Sequence, residues 1–103
     1  MARVAATTAR AEPVDTVFRA LADPTRRRVM ERLSRSPASV SELAAPFKMA
    51  LPSFVQHMRM LETCGLVRSS KRGRVRTYQV VPKRLQVAAD WLDGDDSKTA
   101  WCG

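Results

Sequence analysis

One imidazole and two thiols, His57, Cys64 and Cys102, are the side chains of this 103-residue chain best suited to act as nucleophile, general base or soft-metal ligand. A closed metal site needs about four such donors, and His57 has no cysteine or acidic neighbour at ligand spacing. Ser53 and Thr63 lie near it without the partners of a nucleophilic triad. There is no glycine-rich phosphate loop and no paired-carboxylate site; Asp93, Asp95 and Asp96 read as a solvated end. Neither catalysis nor a cofactor is expected. The abundant chemistry is cationic instead: Arg68, Lys71, Arg72, Arg74 and Arg76 crowd a short stretch of alternating, β-branched sequence. Like charges repel across a hairpin, a cost that makes sense if phosphate is their counterion.

Charge over the whole chain points the same way. Lys and Arg number 18 against 10 Asp and Glu, a formal +8 with a pI near 10.8. Residues 1–84 hold 17 bases and 6 acids, while residues 85–103 hold one base and four acids, so the basic part is the body. A polyanion, double-stranded DNA first among them, is the expected partner. The run Arg26-Arg27-Arg28 could touch phosphate, but a solvated helix face is the expectation.

These residues must be positioned by a single small domain, as the length implies. With 45% hydrophobic and 27% charged residues the composition is globular, and no apolar run is long enough to span a bilayer. Two distant cysteines make no disulfide framework, which favours a reducing, cytoplasmic setting. Residues 1–12 are expected to form a flexible arm, 13–93 the folded domain and 94–103 an acidic tail.

Along the domain, Val14, Val17, Phe18 and Leu21 mark a helix over 13–22, and Asp23-Pro24 caps a second one running to about Ser34. Ser39 and Glu42 fit a capping box that opens a short third helix. After the tight turn Lys48-Met49-Ala50, a fourth helix begins near Leu51, buries Phe54, Met58 and Leu61, and stops at Gly65. Segments 66–70 and 75–81 predict a hairpin around Lys71-Arg72-Gly73-Arg74. Pro82 allows a last helix with Leu85, Val87, Ala88, Trp91 and Leu92 as its apolar positions. The expected fold is mainly α with a small β-hairpin, in the order α-α-α-α-β-β-α, a winged helix-turn-helix.

Within that layout Ala20-Leu21-Ala22-Asp23-Pro24-Thr25-Arg26, Ser41-Glu42-Leu43-Ala44, Gln56-His57-Met58-Arg59-Met60-Leu61-Glu62 and Gly65-Leu66-Val67 follow in order, and the chain over about 14–92 resembles the ArsR/SmtB family of bacterial repressors. Helical geometry turns Pro52, Gln56, Arg59 and Thr63 away from the core with Val55 on the flank, and the start of such a helix enters a major groove. The resemblance implies base or near-base contacts at Leu51, Pro52, Val55 and Gln56, with Ser53, His57 and Arg59 in the same DNA-facing set and the hairpin on phosphate. Gln suits an adenine edge, and Leu51 and Val55 suit a thymine methyl. Relatives often carry polar residues at the positions of Leu51 and Val55.

The resemblance also implies a homodimer through the first and last helices, whose apolar positions Val14, Val17, Phe18, Leu21, Leu85, Ala88, Trp91 and Leu92 exceed what one small domain can cover. An inverted-repeat operator follows. Many relatives bind metal through a cysteine pair where this chain has Ala44, Ala45 and Pro46, or through ligands on the last helix; both sets are absent. Cys64 and Cys102, with Met60, sit where a cadmium- and lead-sensing branch places ligands, and they are equally open to thiol oxidation. No inducer can be read. The competing class is a winged-helix module whose basic hairpin docks an acidic protein.

Overall fold

The computed structural model describes residues 13–94. The expected arm over 1–12, the tail beyond Gly94 and Cys102 lie outside the described residues. The chain runs α1 (Pro13–Leu21), α2 (Pro24–Leu33), β1 (Ala38–Ser39), α3 (Val40–Ala44), α4 (Leu51–Thr63), β2 (Val67–Arg72), β3 (Val75–Val80) and α5 (Pro82–Asp93). This is the helical fold with a small antiparallel sheet that the sequence predicts, with one short strand added.

Each helix end has a local cause. Asp23 caps α2, its Oδ2 accepting from the Arg26 amide at 3.0 Å, and a proline opens the first turn. At α3 the Ser39 hydroxyl accepts from the Glu42 amide at 3.1 Å, and the Ser39 amide donates to Glu42 Oε1 at 2.8 Å, which completes the capping box. Helix α4 closes in a Schellman turn: Gly65, at φ 81°, donates to the Glu62 carbonyl, and the Leu66 amide reaches the Leu61 carbonyl at 3.0 Å. Leu61 and Leu66 are both fully buried there.

The sheet order is β1-β3-β2, all antiparallel. Strand β1 pairs Ala38 with Tyr78 and Ser39 with Thr77. Two residues are too short for a period-2 pattern, so pairing with a distant strand alone defines this element. Arg72 pairs with Val75, which leaves Gly73-Arg74 as a two-residue turn with positive φ at the glycine alone, as a type II′ turn requires. The strand therefore extends through Lys71 and Arg72, both expected in the loop. Val81, expected as strand, is instead the cap residue of α5.

Phe54, Met58 and Leu61 of α4 have no exposure and meet Val17, Val29, Leu43, Leu66 and Val67 in one core. Phe47 lies against Phe54 with ring centroids 5.6 Å apart. The arginine run of α2 is not merely solvated. Arg26 Nε donates to the Ala20 carbonyl at 2.7 Å and Arg27 Nη1 to the Leu21 carbonyl at 2.9 Å, closing the C-terminal end of α1, where cations are favoured. Arg28 lies over the Phe47 ring at 5.9 Å.

Helix α1 packs along α5, and Phe18 meets Trp91 edge-on at 5.4 Å. Of the residues proposed from sequence for a dimer face, Val17 and Ala88 are consumed by the core of the single chain, and Val14, Phe18, Leu21 and Leu85 are half-buried against it. Trp91 and Leu92 remain 50% and 62% exposed.

Candidate nucleic-acid interface

Burying every third or fourth residue of α4 leaves the opposite face to water. Leu51, Pro52, Val55, Gln56 and Arg59 come together there around a shallow depression of ≈ 350 Å³. Leu51 is 56% exposed, whereas Leu43, Leu61 and Leu66 are sealed in the core. Ser53 and Thr63 are exposed on the same helix but do not line the depression.

His57 points another way. Its Nδ1 lies 3.0 Å from Arg26 Nη1 and 3.7 Å from Asp23 Oδ2. A guanidinium can only donate, so the Arg26 contact is a hydrogen bond when Nδ1 carries no proton, and a protonated ring pairs with the Asp23 carboxylate instead. Arg26 thus ties α4 to the α1–α2 corner, holding His57 with one nitrogen and the Ala20 and Arg19 carbonyls with others. Burial pushes the Asp23 carboxyl up, but the Arg26 amide, the nearby His57 and Arg26 side chains and the Thr25 amide outweigh it and hold the group below its usual value. Sequence reasoning found the cap and missed this support for α4, because a contact over 31 residues leaves no local pattern.

In the wing, register sets Lys71 directly opposite Arg76 and Arg68 opposite Gln79. With the Gln79 amide oxygen turned toward it, Arg68 donates from Nε and Nη2, each at 3.1 Å. Arg76 Nη1 donates to the Ser69 hydroxyl at 2.8 Å, which donates to Glu62 Oε2 at 3.0 Å. That chain fastens the hairpin to the last turn of α4. Burial raises the neighbouring Tyr78 hydroxyl above its usual value, and the Glu62 carboxylate adds to the effect. The side chains of Lys71, Arg72 and Arg74, all exposed, make no hydrogen bond or ion pair with described residues. The five wing cations are therefore of two kinds: Arg68 and Arg76, whose side chains are hydrogen-bonded, and Lys71, Arg72 and Arg74, whose side chains have no partner among the described residues.

Cys64 is half-buried, its Sγ donating to the Thr16 carbonyl at 3.6 Å, and Met60 packs against the core. Among the described residues no group of three or more His, Cys, Asp or Glu side chains could hold a metal ion, and no helix is long and apolar enough to cross a membrane.

A model of a helix-turn-helix domain matches residues 21–70. The HTH-type transcriptional regulator Rv2034 of Mycobacterium tuberculosis is 39% identical over 79 residues, 77% of this chain and 74% of the relative. A transcriptional repressor SmtB homolog of Synechocystis is 35% identical over 90 residues, covering 84% and 68%. Among solved structures, an ArsR family transcriptional regulator superposes with a TM-score of 0.79 at 50% identity, covering 84% of this chain and 94% of the other.

Proposed function

The chain belongs to the ArsR family of winged helix-turn-helix transcriptional regulators, DNA-binding proteins rather than enzymes, and we propose that it acts as a homodimeric repressor on an inverted-repeat operator. The observation that carries this reading is the exposed outer face of α4 together with three wing cations whose side chains have no partner among the described residues. The hairpin holds these cations close together against their own repulsion, and a phosphate backbone relieves it.

In this reading the start of α4 enters the major groove with Leu51, Pro52, Val55 and Gln56 at the base edges. Ser53 and Arg59 lie toward the backbone. Lys71, Arg72 and Arg74 take phosphates at the wing, with Arg68 and Arg76 bracing the hairpin. His57 acts through Arg26 to hold the helix in its DNA-facing position. The exposed Trp91 and Leu92 beside Phe18, continued by Val14, Leu21 and Leu85, form the dimer face, with Val17 and Ala88 as its buried backing. A twofold there would set two recognition helices about 34 Å apart, one turn of duplex. The reading needs no cofactor, and it places the protein in the cytoplasm with its operator.

The test is a titration of full-length protein on its promoter duplex against salt. If each subunit neutralises about three phosphates, log K should fall against log salt with a slope near −5, by the rule of about −0.9 per phosphate. A slope near zero would reject DNA as the partner and leave the wing as a dock for an acidic protein.

A further inference from the structure

We propose that the depression on the outer face of α4 reads the C5-methyl group of a pyrimidine in the major groove: thymine in ordinary DNA, and 5-methylcytosine where cytosine carries that group. The inference rests on DNA binding as proposed above and adds what the helix recognises.

Leu51, Pro52 and Val55 give the depression an apolar floor, and Gln56 and Arg59 are its only polar lining side chains. No carboxylate lines it. Leu51 and Val55 stand four residues apart, so they lie on one face about 5–6 Å from each other, a gap that one methyl group fills. Base edges in the major groove present hydrogen-bond donors and acceptors, and the single apolar group among them is the C5-methyl of thymine. Leucine and valine have nothing to offer a donor or an acceptor. An apolar floor at this position therefore gains from a methyl group and loses against a bare pyrimidine edge. Gln56, next in sequence to Val55, carries an amide that fits an adenine N6/N7 edge. The half-site is then a methyl-bearing pyrimidine neighbouring an adenine. Arg59 in the lining, and the wing cations Lys71, Arg72 and Arg74 whose side chains have no partner among the described residues, supply the charge complementarity that commits this patch to duplex DNA rather than to another apolar surface.

The experiment uses full-length dimer and the duplex enriched by selection from a random pool. Each half-site thymine is replaced in turn by deoxyuridine, which removes the methyl and keeps every hydrogen-bonding group. Replacement at one position per half-site should weaken binding about fourfold, the weight of one buried methyl, and about 15-fold when both half-sites change. With cytosine at that position, C5-methylation should restore about fourfold per half-site. Leu51 is exposed, so Leu51→Ala should fold normally by circular dichroism while binding thymine and deoxyuridine duplexes alike; Val55→Ser should do the same. Deoxyuridine without effect at every position of a tightly bound operator would overturn the methyl reading and leave DNA binding standing. A pool that yields no enriched sequence would overturn both. An unchanged thymine preference in Leu51→Ala, with an altered oligomeric state, would reassign the patch to a protein contact.

Discussion

Helix α4 and the β2–β3 hairpin flank the same proposed partner, yet they are built differently. The helix sends Phe54, Met58 and Leu61 into the core with no exposure and lines its outer depression with Leu51, Pro52 and Val55 beside Gln56 and Arg59. The hairpin is buried only near its base, at Val67 and Tyr78, and every residue from Ser70 to Arg76 is exposed. A hydrogen bond or a methyl contact works only within a few tenths of an ångström, so a side chain that reads bases has to stand on a rigid element. A phosphate contact tolerates movement. The same division recurs within the wing: the Arg68 and Arg76 side chains are hydrogen-bonded to neighbouring side chains, and those of Lys71, Arg72 and Arg74 have no such partner among the described residues.

The largest test of that contrast is thermodynamic. Phe54→Ala removes a ring with no exposure that contacts Phe47, and should cost about 3–5 kcal/mol in urea unfolding, a large share of the stability of any domain this size. Arg72→Ala should change it by less than about 0.5 kcal/mol. Comparable losses would mean that the wing is as integral to the core as the helix.

A smaller effect separates the two elements on DNA. Gln56→Ala should lose about 1–3 kcal/mol per half-site on the operator and spare random duplex, since the amide is matched to one base edge. Arg72→Ala or Arg74→Ala should weaken both duplexes alike and flatten the salt slope by about one phosphate per subunit. Equal losses on operator and random duplex for Gln56→Ala would remove base reading from the helix.

What could be read from sequence follows the same line between local and distant causes. The apolar spacing of α4, the Ser39–Glu42 box, the Gly65 stop and the glycine turn of the wing are set by neighbours within a few residues, and each is legible. Strand β1 is not, since only its pairing with Tyr78 and Thr77 makes it a strand. Nor are the roles of Arg26, which holds His57, or of Glu62 and Ser69, which brace Arg76; in sequence these are ordinary charges on helix and strand. The outward face of α4 was accessible from periodicity alone. Its shape, with Leu51 left open beside Val55, needed the fold.

The smallest effect concerns acid, and it sharpens the comparison because described carboxylates that sit below their usual values serve helix caps, while the wing strands contain none. Asp23 caps α2 and lies beside the Arg26–His57 contact; Glu42 is lowered first by the Ser39 amide, then by the Ser39 hydroxyl, and burial opposes this. A carboxyl whose value is lowered on folding contributes stability that is complete above its unfolded value, and that contribution is lost as pH falls through the folded one. Unfolding free energy should therefore decline as pH drops below about 4.5, with both groups acting in the same direction. Asp23→Asn keeps a side-chain oxygen at the cap, where asparagine serves about as well, and removes the titration. The variant should match the parent within about 1 kcal/mol at neutral pH, because Asp23 is partly open to water, and should show a shallower acid limb in urea unfolding. Arg72→Ala should leave that limb unchanged. If the wing variant flattened it as much as Asp23→Asn, the acid response would belong to repulsion among the unpaired cations, and the helical caps would lose their claim to it.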